Sequence, residues 1–404
     1  MDRRKPGSGA EDEKLQAIRE ALDRIDRELL ETLRNRLKRV RAVSRLKEAG
    51  MPFLRDHERE TELLARAEGW ARELGLDPFR VREIFREIIA MSLKVQEEAL
   101  LGRESASRSA RNAHRVAYQG AEGSYSHLAA RKYFAESADG MEYRGFATFA
   151  QALHDAESGR AGYAFLPIEN TTAGSINETY DLLRSTGLQI VGEEVWEVRH
   201  CLLATAPVAL TDLRRVFSHP QALVQCSAFL RGLPQVKPVG YEDTAEAARK
   251  VRLDGDPTQA AIASDEAGRL HGLVVIARDI ADQPENWTRF VLVSSLDLTP
   301  DPRIPSKTSL VLTTPHRHGA LAHCLAVLAE HGLNLTKLES RPVPRRPWEY
   351  LFYLDFEGSL AEETAALAVA ALRRECPYLK VLGSYPARTT PRGRVDGLET
   401  RSKG

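Results

Sequence analysis

A long run of apolar residues at helical spacing near the amino end constrains the fold more than any other feature of this chain. Leucine, isoleucine and valine recur every three or four residues, with no glycine or proline between Leu15 and Gly50: Leu15, Ile18, Leu22, Ile25, Leu29, Leu33, Leu37, Val40 and Val43. This spacing places the apolar side chains along one helix face. A helix this long cannot bury that face within a small compact domain, so we expect it to pair with other helices.

Two further helices are predicted before residue 100. A Gly-Met-Pro stretch ends the first helix, and a second periodic run covers residues 56–74. Asp77 and Pro78 then match an N-cap followed by proline at the first helical position, where a third helix begins. Residues 13–100 are therefore predicted to form an all-α domain.

The chain changes character after the helical region. Residues 101–113 are rich in serine and arginine and lack apolar periodicity, so we predict a linker. Between residues 114 and 298, short apolar runs alternate with helical patterns, which is typical of an α/β domain. The predicted strands are Val116–Gln119, Tyr163–Ile168, Gln189–Val191, Cys201–Thr205, Ala260–Ala263 and Phe290–Ser294.

The carboxyl-terminal part predicts a third domain. Residues 306–387 follow the order β-α-β-β-α-β, which is typical of a ferredoxin-like α+β unit. Residues 388–404 contain few apolar side chains, so we predict a disordered tail. The predicted fold class is therefore multidomain, and 404 residues are enough for such a chain.

Composition argues against several classes of protein. The 57 lysines and arginines balance the 57 aspartates and glutamates, so no overall positive field favours nucleic acid. No apolar run reaches 18 residues, and we expect neither a membrane span nor a secretory signal. The four cysteines lack paired spacing, which argues against a zinc site and fits a reducing compartment. We expect a cytoplasmic protein that needs no metal and no organic cofactor.

A polar cluster follows one of the predicted core strands. Glu169, Asn170, Thr171 and Thr172 come directly after an apolar run, and Ser175 with Glu178 matches a capping box for the next helix. Free backbone N–H groups at a helix start favour an anion, although a well-capped turn explains one such cluster equally well. The pattern recurs around Ser124, so we expect two hydroxyl-rich helix starts that each receive a carboxylate.

Cations on the long helix suggest a second site. Arg36 and Lys47 are eleven residues apart, about three turns, and share one helix face. Arg19 precedes Arg36 by 17 residues, roughly 25 Å along the helix axis, which no small metabolite bridges. If Arg19 serves the same ligand, it belongs to the antiparallel partner of a dimer. The alternatives are a solvated surface and a dimerising coiled coil without a site.

These cations and their polar neighbours resemble the all-helical chorismate mutase family, in which two chains interlock. The resemblance implies a site for the chorismate dianion, whose carboxylates suit arginine forks. The reaction is an intramolecular rearrangement, so positioning and electrostatics suffice. Lys47 and Gln96 would donate to the ether oxygen, and Glu60 would hold the ring hydroxyl. The implied substrate-binding residues are Arg19, Arg36, Asp56, Arg59 and Ser92.

The middle segment contains five distinctive motifs: GSYSH at residues 123–127, PIENTTAG at 167–174, HCLL at 200–203, SHPQALVQC at 218–226 and NWTRFVLV at 286–293. With these motifs the segment resembles prephenate dehydratases. The resemblance implies two lobes with a cleft between them, similar to periplasmic binding proteins. The order of the two segments resembles that of fused mutase–dehydratases.

The resemblance also implies roles for individual residues of the dehydratase segment. Thr288 would donate a hydrogen bond to the departing hydroxyl, and Glu169 and Glu242 are the candidate carboxylates. Arg289 is as well explained by a structural role as by contact with substrate. Capping and core packing are the expected uses of His127, His200 and His219. The predicted substrate-binding residues are Ser124, Asn170, Thr171, Thr172, Ser218, Gln225 and Arg289.

In the third domain, the stretch Gly319 to Ala322 opens a predicted helix, and the stretch Glu339 to Pro342 follows a predicted strand. With these two motifs the domain is similar to the ACT regulatory domains that bind phenylalanine. That likeness implies that phenylalanine lowers dehydratase activity by favouring a closed cleft. The alternative is a purely structural dimerisation module. The predicted effector-binding residues are Gly319, Ala320, Leu321, Asn334, Glu339, Ser340 and Arg341.

Together these features predict an enzyme of phenylalanine biosynthesis. It would convert chorismate to prephenate, and prephenate to phenylpyruvate with loss of carbon dioxide and water. The expected partners are chorismate, prephenate and phenylalanine, without nucleic acid or membrane, in a homodimer or larger homo-oligomer. Two alternatives stay open: only one activity is retained, or the chain senses prephenate or an amino acid without turnover.

Overall fold

The structure is a computed structural model that describes residues 8–47, 57–89, 91–92, 114–135, 140–295, 305–343 and 349–388. The chain divides into two compact units, Met1–Leu101 and Gly102–Gly404, and each is described by itself. The predicted linker at 101–113 and residues 389–404 of the predicted tail lie outside the described residues.

The smaller unit is helical. Helix α1 has 40 residues, which makes it about 60 Å long. The backbone N–H of Phe79 donates to Asp77 Oδ1 at 2.9 Å, so the predicted cap at the start of the third helix is confirmed. The helices are α1 (Ser8–Lys47), α2 (His57–Glu73) and α3 (78–89).

The first sheet of the larger unit is mixed. Its strands lie in the order β2-β1-β3-β11-β5, and the short β4 pairs with β3. β1 is parallel to β2 and β3, whereas β11 is antiparallel to β3 and β5. The strands are β1 (Arg115–Gln119), β2 (Glu142–Phe146), β3 (Tyr163–Asn170), β4 (Gly174–Ser175), β5 (Gln189–Glu197) and β11 (Trp287–Ser294), with helices α4 (Tyr125–Tyr133), α5 (Phe149–Glu157) and α6 (Asn177–Ser185).

The second sheet has the order β10-β6-β9-β7-β8. The chain crosses from the first sheet to the second after β5 and returns before β11. The two crossing segments pair through their backbones, because Val198 N donates to Asn286 O and Ile280 N donates to His200 O. The elements are β6 (Cys201–Ala204), β7 (Arg215–Ser218), α7 (Pro220–Gln225), α8 (Ser227–Arg231), β8 (Lys237–Gly240), α9 (Thr244–Asp254), β9 (Gln259–Ala263), α10 (Asp265–His271) and β10 (Val274–Ala277).

The third sheet has the predicted β-α-β-β-α-β order and is antiparallel, with strand order β13-β14-β12-β15. Alternate residues of β12 face opposite ways: Leu310 and Leu312 pack against the helices of this module, whereas Val311 joins the core of the first sheet. The module is therefore fixed to the first sheet by apolar packing. Its elements are β12 (Ser306–Thr313), α11 (Ala320–Glu330), β13 (Leu335–Pro342), β14 (Tyr350–Glu357), α12 (Glu363–Glu375) and β15 (Tyr378–Pro386).

The backbones of β15 and β5 approach closely at Gly383. A Cβ atom added there would lie 2.1 Å from the carbonyl oxygen of Ile190, which is far below a van der Waals contact. Only glycine permits this approach without a shift of one strand. Within the described ranges, no helix is both long enough and apolar enough to cross a membrane.

Candidate active sites

A cavity of about 520 Å³ lies between the first and second sheets of the larger unit. The carboxyl end of β3 and the start of β11 form one wall, and α7 and the loop before α9 form another. Its volume suits a small metabolite. Its polar lining residues include Gln119, Ser124, Asn170, His200, His219, Gln225, Glu242, Asp243 and Thr288.

Of the two neighbours Glu169 and Asn170, only Asn170 lines this cavity. Glu169 lies on the same strand, one residue earlier, so its side chain points to the other face of the sheet. There its Oε2 atom lies 3.0 Å from Nζ of Lys337 in the third sheet. The structure therefore does not place Glu169, a predicted catalytic carboxylate, in the cavity lining, and its carboxylate forms an ion pair with Lys337 instead.

The amide of Asn170 has a fixed orientation. Its Oδ1 accepts hydrogen bonds from the backbone N–H groups of Thr172 at 3.0 Å and Ala173 at 2.8 Å. A backbone N–H can only donate, so the opposite amide atom is Nδ2. Nδ2 donates to Thr288 Oγ1 at 2.9 Å and to Asn286 Oδ1 at 2.7 Å. Asn170 therefore holds Thr288, the residue predicted to donate a hydrogen bond to the departing hydroxyl.

Thr288 lies at the start of β11, is 8% exposed and lines the cavity. Its oxygen accepts from Asn170, and within the part of the chain that the structure describes its own proton has no recorded acceptor. That proton is therefore available to a molecule in the cavity.

Ser124 and Gln225, two predicted substrate-binding residues, line the cavity, and so does Glu242, a predicted catalytic carboxylate. Ser124 is the N-cap of α4 and accepts from His127 N at 3.4 Å. Glu242 enters from the loop between β8 and α9. It is the predicted carboxylate that the structure brings to the cavity.

Two predicted substrate-binding hydroxyls are used elsewhere. Ser218 is fully buried and donates to Ile262 O at 2.6 Å. Thr171 Oγ1 accepts from Trp287 N at 2.9 Å and lies 3.3 Å from Glu285 O. Neither residue lines the cavity. Both hydroxyls instead form hydrogen bonds with the backbone of neighbouring segments.

Thr172 takes part in the network behind the cavity wall. Its hydroxyl donates to Asn170 Oδ1 at 2.7 Å, and its oxygen lies 2.5 Å from Nε2 of Gln225. The polar cluster is therefore a hydrogen-bonded group rather than a row of separate ligands. Asn170 and Gln225 face the cavity, and Thr172 joins them.

Arg289 is buried in an ion-pair network between the first and third sheets. Its guanidinium lies 2.7 Å from Glu193 and 2.7 Å from Asp355, and donates to Tyr385 Oη at 2.8 Å. Burial opposes the charge, but Asp355, Tyr385 and Glu193 raise the pKa of Arg289 well above its ordinary value. The side chain does not line the cavity. Of its two predicted roles, the geometry favours the structural one.

Charged residues at alternate positions of β13 contact the segment that borders the cavity. Lys337 Nζ donates to Ser175 Oγ at 3.1 Å, and that hydroxyl donates to Glu339 at 3.0 Å. Arg341 donates to the backbone oxygen of Asn177 at 2.6 Å. We call Lys337, Glu339 and Arg341 the β13 ladder. Two predicted effector-binding residues, Glu339 and Arg341, are thus engaged with the dehydratase segment of the same chain.

The predicted capping box at Ser175 is wrong. Ser175 belongs to β4, and α6 begins at Asn177 without a side-chain cap. Pairing of β4 with β3 and the contacts with the β13 ladder take the hydroxyl that would have capped the helix.

The remaining predicted effector residues lie in the third-sheet module. Gly319 precedes α11 with a positive φ of 72°, and Ala320 is buried at the start of that helix with Leu321 beside it. Asn334 donates to Glu357 at 3.1 Å. Ser340 alternates with the β13 ladder and therefore points to the other face of its sheet.

His200 is a cavity residue that the sequence assigned to packing. It is 2% exposed, lines the cavity, and places Nε2 2.9 Å from Gln225 Oε1 and Nδ1 3.1 Å from Tyr125 Oη. No local spacing reveals this, because Tyr125, His200 and Gln225 come from separate elements. Burial lowers the pKa of His200, which favours the neutral ring.

In the helical unit, the structure brings together Arg36 of α1 and Ser92. The Arg36 guanidinium donates to the Ser92 hydroxyl and to Ile88 O, the latter at 3.4 Å. Burial lowers the pKa of Arg36. Arg19 and Arg59 are exposed and Glu60 is half-buried. Lys47 ends α1, but its side chain lies outside the described residues, as do Asp56 and Gln96.

Comparisons with known proteins agree with this division of the chain. Residues 18–97 match the family described as chorismate mutase type II, and residues 116–297 match the prephenate dehydratase family. A bifunctional chorismate mutase/prephenate dehydratase of Enterobacter agglomerans is 38% identical over 376 residues, 93% of this chain and 97% of the relative.

Two solved structures resemble the larger unit. A prephenate dehydratase of Arthrobacter aurescens in complex with L-Phe is 31% identical with a TM-score of 0.61, over 68% of this chain and 90% of that one. GqqA, described as a novel type of quorum quenching acylase, is 35% identical with a TM-score of 0.60, over 69% of this chain and 98% of that one.

The fold and the matches define a two-reaction enzyme of aromatic amino acid biosynthesis. The chain belongs to the family of bifunctional chorismate mutase/prephenate dehydratases. It rearranges chorismate to prephenate and converts prephenate to phenylpyruvate, carbon dioxide and water.

Proposed function

We propose that prephenate reacts in the cavity between the first and second sheets, with Thr288 as donor to the departing hydroxyl. The observation that carries this proposal is the hydrogen bond from Asn170 to the Thr288 oxygen, which leaves the threonine proton for the cavity. The bond from the ring to its carboxylate breaks and supplies the electron pair that aromatises the ring. The C–O bond breaks with its own pair, and the departing hydroxide must gain one proton to become water.

A threonine hydroxyl is too weak an acid to supply that proton outright. We assign to Thr288 a stabilising hydrogen bond on the departing oxygen, and to Glu242 the relay of the proton. Ser124 and Gln225 supply hydrogen bonds to the substrate diacid, whereas the two Nδ2 protons of Asn170 are used by Thr288 and Asn286. The two sheets then act as two lobes with the substrate between them.

The mutase step is proposed for the helical unit, over the predicted residues 13–100. Arg36 and Ser92 are already together and would bind one carboxylate of chorismate. Arg19 lies too far along α1 to join them within one chain, so we propose a homodimer in which Arg19 of the partner subunit completes the site. The exposed apolar face of α1 supports this pairing.

We further propose that the third-sheet module, residues 306–387, is an ACT regulatory domain that binds phenylalanine. The β13 ladder supports a route to the cavity, because it contacts Ser175, which borders it. Phenylalanine should lower the dehydratase rate, and Lys337→Met should weaken that effect. Arg373→Ala, an exposed change on α12, is the control. No effect of saturating phenylalanine on the wild-type rate would contradict this role.

The test of the two catalytic sites supplies chorismate to the full chain and follows prephenate and phenylpyruvate separately. Thr288→Val, which keeps the volume and removes the hydroxyl, should let prephenate accumulate. Arg36→Ala should stop the first reaction and leave added prephenate convertible. Loss of both reactions from either change would contradict separate sites. Binding of prephenate without any product from the wild type would favour the sensor instead.

A further inference from the structure

Behind the cavity wall, the donor and the acceptor of each hydrogen bond follow from those of the bond before it. Asn170 Oδ1 receives two backbone N–H groups, so it is an acceptor, and the Thr172 hydroxyl must donate to it at 2.7 Å. The single proton of Thr172 is then used. The Gln225 atom 2.5 Å from the Thr172 oxygen must therefore be Nε2, which donates.

The same reasoning fixes His200. With Nε2 of Gln225 facing Thr172, the atom of Gln225 that faces His200 is Oε1, which can only accept. The imidazole must then carry its proton on Nε2, 2.9 Å away. Nδ1 of the neutral ring is an acceptor, and the Tyr125 hydroxyl lies 3.1 Å from it. The Tyr125 hydroxyl also donates to the backbone oxygen of Arg199 at 2.8 Å, so its one proton serves two acceptors.

The orientation of Gln225 matters because its amide lines the cavity. One Nε2 proton goes to Thr172, and the other points toward Asn170 Oδ1 at 3.5 Å, the outer limit of a hydrogen bond. That oxygen already accepts three closer donors. The second proton is therefore available to an anionic substrate. In the reverse orientation, Gln225 would present a carbonyl oxygen, which repels a carboxylate.

We propose that His200 is a positioning residue for prephenate binding: together with the Thr172 oxygen, its Nε2–H holds the Gln225 amide so that an N–H, not a carbonyl oxygen, faces the substrate. The inference rests on the cavity being the dehydratase site, as proposed above. His200 acts through Gln225 and leaves the Asn170–Thr288 pair unchanged, since backbone N–H groups fix Asn170 independently. Its loss should therefore raise KM far more than it lowers kcat.

The test measures dehydratase kinetics of the full chain with prephenate. His200→Leu should raise KM about tenfold to a hundredfold, the range for a hydrogen bond to a charged group, with kcat within about threefold. His200→Gln, whose amide can donate from the place of Nε2, should recover most of the loss. In a Gln225→Met background, His200→Leu should add nothing further, because the group it orients is gone.

Three results would overturn the inference. The KM of a folded His200→Leu variant could be unchanged, or His200→Gln could fail to restore the wild-type KM. In the double variant, the KM increases of the two single variants could multiply. Mutase turnover and thermal melting verify that each variant is folded. If His200→Leu does not fold, ¹⁵N-histidine NMR of the wild type determines which ring nitrogen of His200 carries the proton. The spectrum of His200→Gln, which lacks this ring, assigns the His200 signals. A neutral ring protonated on Nε2 is expected, and protonation on Nδ1 overturns the inference. Thr288→Val measured in parallel separates the two proposals: if it retains full turnover, the cavity assignment itself fails.

Discussion

At the scale of single residues, the cavity depends on which way neighbouring side chains point. Glu169 and Asn170 are adjacent in β3, yet one pairs with Lys337 and the other lines the cavity beside Thr288. Glu242 approaches from a different sheet and is the predicted carboxylate in contact with the cavity. Two carboxylates that looked equivalent in sequence therefore have different expected roles.

Matched substitutions distinguish the two carboxylates. Glu242→Gln should lower dehydratase kcat about a hundredfold, because it removes the group proposed to relay a proton. Glu169→Gln should leave kcat within about twofold, because its side chain lies outside the cavity lining. Steady-state assays with prephenate measure both. A large loss from Glu169→Gln with none from Glu242→Gln would reverse the assignment.

Arg289 offers a prediction about stability. Its charge is buried between Glu193 and Asp355, so Arg289→Met removes the buried cation from Asp355 and leaves Glu193 paired with Lys307. Breaking such a network costs about 3–5 kcal/mol of the free energy of unfolding. Urea unfolding of the larger unit measures it. Arg269→Met, which removes an exposed cation from α10, is the control and should leave unfolding unchanged. Equal unfolding of both variants would contradict a structural role for Arg289.

The sequence identified five of the polar residues that line the cavity, but not the orientation of their neighbours. Asn170, Gln225, Glu242, Ser124 and Thr288 were predicted from motifs and do line the cavity. The face of the sheet to which Glu169 points depends on where β3 ends, and the local sequence pattern does not determine that position. The role of His200 depended on contacts between separate elements, which no single-sequence pattern encodes.

At the scale of elements, the third sheet is attached to the first by apolar packing, by polar contacts of β13 and by one close approach of two backbones. Apolar residues such as Val311 and Leu382 join the core of the first sheet, and the β13 ladder adds polar contacts. At Gly383 the backbone of β15 meets that of β5 without room for a side chain.

Gly383→Ala should therefore disturb this attachment. The added methyl would meet the Ile190 carbonyl oxygen, and a backbone atom cannot move aside alone. We expect a loss of about 1–3 kcal/mol, as for other overpacked sites, measured by urea unfolding. Gly187→Ala adds a methyl where no atom lies within 4 Å and should have little effect. Indistinguishable unfolding of the two variants would show that the strands can separate at no cost.

Elements with strong periodicity were predicted correctly, and weak ones were missed. The six predicted strands are all present, and the β-α-β-β-α-β order of the third module agrees with the sequence. β7, β8 and β10 have four residues each, and β2 is largely exposed, so their patterns were too short or too polar to recognise. At Ser175, pairing of β4 with β3 prevailed over a capping signal.

At the scale of the whole molecule, histidines make stability depend on pH. His127 Nδ1 accepts from the backbone N–H of Gly123 at 3.0 Å, which a protonated nitrogen cannot do. Burial lowers its pKa below the value of about 6.5 in the unfolded chain. Its contribution to stability is therefore full above pH of about 6.5 and is lost as the pH falls through the lower folded value.

The free energy of unfolding should accordingly decrease between about pH 7 and 5, where histidines gain protons. His127→Asn keeps an acceptor near the place of Nδ1 but cannot titrate, so its unfolding curve should vary less with pH. Urea unfolding at several pH values measures the difference. A variant with the same pH dependence as the wild type would show that His127 does not contribute to it.

Helix α1 leaves Leu15, Ile18, Leu22, Ile25 and Leu29 between 46% and 63% exposed within one chain. With the partner subunit proposed above covering this face, the two reactions respond differently to dilution. The mutase rate should then fall more steeply than the enzyme concentration once chains separate, whereas the proposed dehydratase cavity is formed by residues of a single chain. At a low concentration of the protein, the formation of prephenate would then become limiting before the consumption of prephenate does.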